Sequence, residues 1–100
     1  MQILINAQKI SITDKFKDKI TKKFEQSLEK LLTNYQPDLK VASLSIEKSG
    51  SVFQIKFDMN LPACPINIKD EHKILLDGLL RVRDTAKRQI KKHLEKLRSH

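Results

Sequence analysis

Residues 41–59, VASLSIEKSGSVFQIKFDM, decide the fold. Ala42, Leu44 and Ile46 alternate with Ser43, Ser45 and Glu47. After a compact turn at Ser49-Gly50, Phe53, Ile55, Phe57 and Met59 alternate with Gln54, Lys56 and Asp58. A period of two puts every second side chain on the same face of a strand. The stretch therefore predicts a hairpin with one apolar and one wet face. Cys64, Ile66 and Ile68 extend the alternation into a third strand. Pro62 and Pro65 cannot donate ladder hydrogen bonds, which places that strand at a sheet edge.

Working outward, the segments on either side of this meander carry the other elements. Gln2 to Asn6 (QILIN) is a short apolar run and reads as a strand buried on both faces or nearly so. Thr13 and Asp14 offer an N-cap oxygen, and Phe16, Ile20, Phe24, Leu28 and Leu31 then step by three or four. That spacing predicts an amphipathic helix of about five turns, ended by Asn34 and Pro37. Asp70-Glu71 are expected to open a long second helix, with carboxylates at its positive end. Its apolar stripe is Val82, Ala86, Ile90, Leu94 and Leu97. The order is β-α-β-β-β-α. A right-handed crossover makes the first two strands parallel. The result is an α+β two-layer sandwich, with a four-stranded mixed sheet and both helices on its one apolar face.

One hundred residues make a single domain, 1–100. No apolar run approaches the roughly 18 residues that span a bilayer, and the N-terminus lacks the pattern of a signal peptide. One cysteine, Cys64, permits no internal disulfide and fits a cytoplasmic setting.

Twenty Lys and Arg against twelve Asp and Glu give a net charge of +8. Eight of these cations fall between Arg81 and Arg98, beside the acids Asp84 and Glu95. On the first helix, Lys15, Lys19, Lys22, Lys23 and Lys30 gather on one flank and Asp18, Glu25 and Glu29 on the other. Only Lys17 breaks that pattern. A merely solvated helix would interleave its signs. Cations in the last turn of a helix offset its negative end, which covers Lys96 and Arg98 but not Arg81, Lys87 or Arg88. Segregation by sign points to a polyanion. No aromatic side chain is interleaved with the cations, so stacking platforms for single-stranded bases are missing. Contacts through phosphates and shape are expected, and structured RNA fits best.

Catalytic chemistry is not legible. Cys64, Asp70 and His72 are close in sequence, but an activated thiol needs a positioned base and a lowered pKa. His72, His93 and His100 lack metal-ligand spacing, and His93 falls on the inner side of its helix as a packed residue. There is no glycine-rich phosphate loop. These readings give no enzyme, metal, cofactor or small-molecule substrate.

The residues converge on a known family. MQI at the start, ISITD before the first helix, KKFEQ within it, SIEK, and LDGL followed by RQIKKHLEKLRSH occur in order along essentially the whole chain. With the β-α-β-β-β-α plan, the chain resembles the short ribosome hibernation-promoting factors, also known as ribosome-associated translation inhibitors or sigma-54 modulation proteins. The resemblance implies a fold like a double-stranded-RNA-binding domain. It implies binding to the small (30S) ribosomal subunit and its ribosomal RNA, occlusion of the messenger and transfer RNA channel, and protection of idle ribosomes in slow growth. The family's basic positions map onto Lys23, Lys48, Arg88, Lys92 and Lys96. Lys22, Lys87 and Lys91 join them from the charge pattern alone.

The chain departs from the family at three places. LPACPIN replaces a glycine-containing turn, about three extra residues separate LDGL from RQIKKH, and Leu94 stands where a lysine is common. The long family members add a second, dimerising domain beyond the point where this sequence ends. The free protein is expected to be monomeric and not membrane-bound. The rival reading is a general double-stranded-RNA-binding module with no ribosome preference. Two further rivals rank below it: a peripheral protein on anionic membranes, and an adaptor whose basic surface is incidental.

Overall fold

The computed structural model describes residues 1–98. In chain order they form β1 (Gln2–Gln8), α1 (Asp14–Leu28), two short 3-10 turns (Glu29–Leu32 and Pro37–Leu39), β2 (Val41–Ser49), β3 (Val52–Leu61), β4 (Cys64–His72) and α2 (Leu75–Arg98). The four strands make one sheet in the order β1-β2-β3-β4. β1 is parallel to β2, and β2, β3 and β4 are an antiparallel meander. The expected two-layer α+β architecture is present. Each helix follows a strand of the same direction and returns along the sheet, so α1 and α2 run parallel to one another and touch.

The alternation works as read. Ala42, Leu44, Ile46, Ile55, Phe57, Met59, Leu61, Ile66 and Ile68 are buried on the helix-facing side. Ile20, Phe24 and Leu28 of α1 and Leu79, Val82, Ala86 and Ile90 of α2 close over them. Phe24 stacks on Phe57 with ring centroids 5.5 Å apart. Of the other aromatics, Phe16, Tyr35 and Phe53 are only half-buried. Thr13 caps α1, its hydroxyl accepting from the Phe16 N–H at 3.1 Å. The two hairpin loops are Gly50-Ser51 and Pro62-Ala63, and Gly50 and Ala63 take positive φ. β4 is the predicted edge strand.

Five local expectations change. β1 is not buried on both faces: it is the other edge strand, and Leu4 is 51% exposed on the open side of the sheet. An uncharged run gives no sign of which face is wet. The first helix stops at Leu28 and tightens into the 3-10 turn Glu29–Leu32, short of Asn34. Glu29 there is held by the Met1 amine at 2.9 Å and by Lys40 at 2.6 Å. Asp70 and Glu71 do not open the second helix; they end β4, opposite Ile55 and Gln54. α2 starts at Leu75, after Asp70 has paired with a side chain from that helix. Leu97 lies on the apolar stripe but is 54% exposed, because the buried part of that stripe ends at Ile90. The turn expected at Ser49-Gly50 is displaced by one residue.

Candidate nucleic-acid interface

The helix α2 is anchored before it presents any charge. Asp70, on the helix-facing side of β4, takes two hydrogen bonds from Arg81: Nε to Oδ2 and Nη2 to Oδ1, both at 2.6 Å. The same guanidinium donates to the Glu71 carbonyl at 3.0 Å. Arg81 beside it holds the Asp70 carboxyl below the usual range, and Asp70 in turn raises the Arg81 pKa. At the junction, the Ile74 N–H donates to His72 Nδ1 at 2.9 Å. Gly78 lets α2 lie directly on the strands: a Cβ there would meet Ile55 Cδ1 at 2.7 Å and His72 Cβ at 2.9 Å.

These contacts fix the phase of the helix. At about 100° per residue, Arg88, Lys92 and Lys96 follow Arg81 on the flank that faces the outer edge of β4. All three are exposed. Arg88 also donates to the Thr85 hydroxyl at 3.3 Å, and that hydroxyl donates to the Arg81 carbonyl at 3.0 Å. Lys87 and Lys91 lie on the opposite flank, toward α1, with Arg83. Lys87 is half-buried and Lys91 exposed. Half-buried Arg83 lies toward the apolar side of the wheel, its guanidinium is turned onto Asp84 at 2.9 Å, and the helix runs unbroken past Gly78.

The phase of α1 is set from the other side of the molecule. Glu29 touches the Met1 amine at the start of β1, so the flank with Glu29, Glu25 and Asp18 faces the β1 edge. Lys40 and the N-terminal amine hold the Glu29 carboxyl below its ordinary value. The opposite flank, with Lys19 and Lys23, faces α2. Lys22 is exposed on the crest of α1. Lys48 stands apart, at the end of β2 on the helix side, with Nζ 5.7 Å from the centroid of the Phe53 ring. By helix phase, then, Lys23, Lys87 and Lys91 face the channel where α1 and α2 meet, and Arg88, Lys92 and Lys96 lie on the far side of α2.

The open face of the sheet has another character. Its charged residues are Glu47, Lys56, Asp58, Lys69 and Glu71, among Asn6, Gln8, Ser45 and Gln54. A shallow depression of about 570 Å³ runs across all of these side chains but Asp58. Two lysines against three carboxylates leave this face without the positive excess of the helical layer.

The side chains that hinted at catalysis have other tasks or lie apart. Asp70 holds Arg81 and His72 holds a backbone N–H. Half-buried Cys64 is at the opposite end of β4 from His72, roughly 26 Å away at 3.3 Å per residue. His93 is half-buried, and its Nε2 is sealed from water without a hydrogen-bond partner. His100 lies outside the described residues. Among the described residues, no group of three or more His, Cys, Asp or Glu is placed to hold a metal ion, and no helix is long and apolar enough to cross a membrane.

The fold and site together are a two-layer β-α-β-β-β-α sandwich with a basic helical layer. Residues 3–98 match the family described as sigma 54 modulation protein / S30EA ribosomal protein, and the chain belongs to that family. Among solved structures it is similar to a ribosomal subunit interface protein from Coxiella burnetii. The TM-score is 0.76 and the identity 16%, over 95% of this chain and 99% of that one. It is equally similar to the N-terminal domain of Protein Y from Thermus thermophilus. There the TM-score is 0.76 and the identity 22%, over 93% and 99% of the two chains. At these identities the likeness establishes the fold. No curated protein matches the sequence.

Proposed function

We propose that this chain, as one ribosome-binding domain, binds the small ribosomal subunit and occludes the channel used by messenger and transfer RNA. The observation that carries the proposal is the division of charge between the layers. A net charge of +8 is concentrated on the helices, while the sheet face is close to neutral. Lys22, Lys23, Lys48, Lys87, Arg88, Lys91, Lys92 and Lys96 are the proposed contacts to ribosomal RNA phosphates. Charge-assisted hydrogen bonds to phosphate are roughly twice as strong as neutral ones. Sequence readout by the protein is not needed for such binding. Occlusion is steric, so the mechanism uses no catalytic residue and no cofactor. The family and the name of the Coxiella burnetii structure support the ribosome as partner. The site of action is the cytoplasm, in slow growth or stress, with the free protein a monomer.

Sedimentation tests this reading. The purified chain, mixed with separated ribosomal subunits, is expected to travel with the small subunit and to inhibit cell-free translation. Excess duplex RNA should displace it poorly. A chain that stays at the top of the gradient overturns the proposal. A chain displaced equally well by any duplex belongs to the rival class of general double-stranded-RNA-binding modules.

A further inference from the structure

The cations of α2 do not form one surface. Read round the exposed arc from the α1 side, the order is Arg83, Lys87, Arg98 and Lys91, then Asp84, Asp77 and Glu95, then Arg88, Arg81, Lys92 and Lys96. The acids occupy a narrow line between two stripes of cations. The sequence spacing enforces this locally. Asp84 has Lys87 three residues on and Arg88 four residues on, one on each side of it. Glu95 likewise has Lys92 and Lys91 on its two sides. Asp84 is half-committed to Arg83, and Arg81 is spent on Asp70. The free charge that remains is Lys87 and Lys91 in the channel beside Lys23 of α1, and Arg88 and Lys92 along the outer edge beside β4.

From this arrangement we infer that α2 is a ridge seated between two phosphate backbones, one running in the α1–α2 channel and one along the β4 edge. The inference rests on the polyanion reading above and narrows it. The partner is paired or folded RNA that offers two backbones across one helix. A single strand fills only one stripe, because crossing to the other takes its phosphates over Asp84 and Glu95, where like charge repels them. The two backbones must stand about one helix diameter apart, roughly 10–12 Å with side chains. A helix bearing cations on both flanks matches that spacing and leaves its acidic crest facing the floor between the backbones. Base edges on that floor carry no formal charge and include amino donors, such as the guanine N2 amine, that a carboxylate can accept from.

The test uses the full chain with two pairs of neutralising substitutions: Lys87→Gln with Lys91→Gln for the channel, and Arg88→Gln with Lys92→Gln for the outer edge. Affinity for isolated small subunits is measured across a range of salt. Each lost phosphate contact lowers the slope of log affinity against log salt by about one. Each pair is expected to lower the slope by about two, and the quadruple variant by about four. If one pair leaves both slope and affinity unchanged, only one backbone is engaged and the inference fails. Lys91→Gln alone, at an exposed position, carries the channel arm if the half-buried Lys87 proves necessary for folding.

A second measurement separates this inference from the ribosome reading. Fluorescence titration compares a plain RNA duplex with either of its strands alone. Loss of duplex affinity in both double variants supports the two-backbone ridge even for a chain that ignores ribosomes. Equal affinity of the wild-type chain for strand and duplex overturns it.

Discussion

Gly78 is where α2 comes closest to the sheet. Its Cα hydrogens face Ile55 Cδ1, the mobile end of a side chain, and His72 Cβ, which is fixed by its own strand. Alanine at 78 would gain roughly 1 kcal/mol of helix propensity. It would also press a methyl into a space that does not exist, and overpacking typically costs about 1–3 kcal/mol. Packing should win because His72 Cβ cannot rotate away. Gly78→Ala is therefore expected to lower the urea midpoint; an unchanged or higher midpoint would mean α2 has room to lift. In the sequence this glycine reads only as a weak point in a helix. What it approaches becomes visible once β3 and β4 are paired. Phe24 is the opposite case, legible from spacing alone. It is fully buried on Phe57, and Phe24→Ala should cost about 3–5 kcal/mol in chemical denaturation, a large share of the stability of a domain this size.

At the scale of elements, the junction between β4 and α2 shows what charge patterns hide. Asp70-Glu71 looks like a helix start because carboxylates favour the positive end of a helix. Here the Asp70 carboxylate serves as a receptor for Arg81, eleven residues later. No local signal distinguishes the two uses; the difference lies in whether a cation returns to meet the acid. The consequence is a defined pH dependence. The Asp70 carboxyl is held below its ordinary value in the folded chain. Its contribution is fully present above the unfolded carboxylate pKa of about 3.9. It is lost as pH falls further through the lowered folded value. Asp70→Asn should thus be less stable than the parent at neutral pH, and the gap should narrow below about pH 4. A gap that stays constant in urea titrations down to acid pH would show that the carboxylate charge is not what anchors α2. The strands, by contrast, were legible throughout the meander, because alternation is a direct imprint of a sheet with one wet face. β1 was not, since an uncharged edge strand and a buried one can share the same letters.

For the whole molecule, the question is whether net charge or a particular surface would drive binding. The cationic flanks were readable on a helical wheel, but their partition into channel and outer edge depends on Glu29 meeting Met1 and Arg81 meeting Asp70. Those are long-range contacts that no wheel contains. Lys69 offers the cleanest control. It lies on the open sheet face directly opposite Lys56, whose ammonium is 3.8 Å from Asp58. Lys69→Glu replaces a like-charged cross-strand pair with an opposite one, which favours the fold by roughly 0.2–1 kcal/mol. It lowers the net charge by the same two units as Lys92→Glu. At physiological salt the Debye length is about 8 Å, so a charge on the far layer is screened from RNA lying on the helices. Loss of one charge-assisted contact, about 1.5–3 kcal/mol, corresponds to at least tenfold in affinity. Lys92→Glu is therefore expected to weaken small-subunit binding tenfold or more, while Lys69→Glu changes it by less than about threefold. Filter binding of the two variants at one salt concentration decides the matter. If both lose affinity equally, attraction follows total charge, and the helical layer has no privileged role. If Lys69→Glu loses more, the sheet face is the side that meets the ribosome.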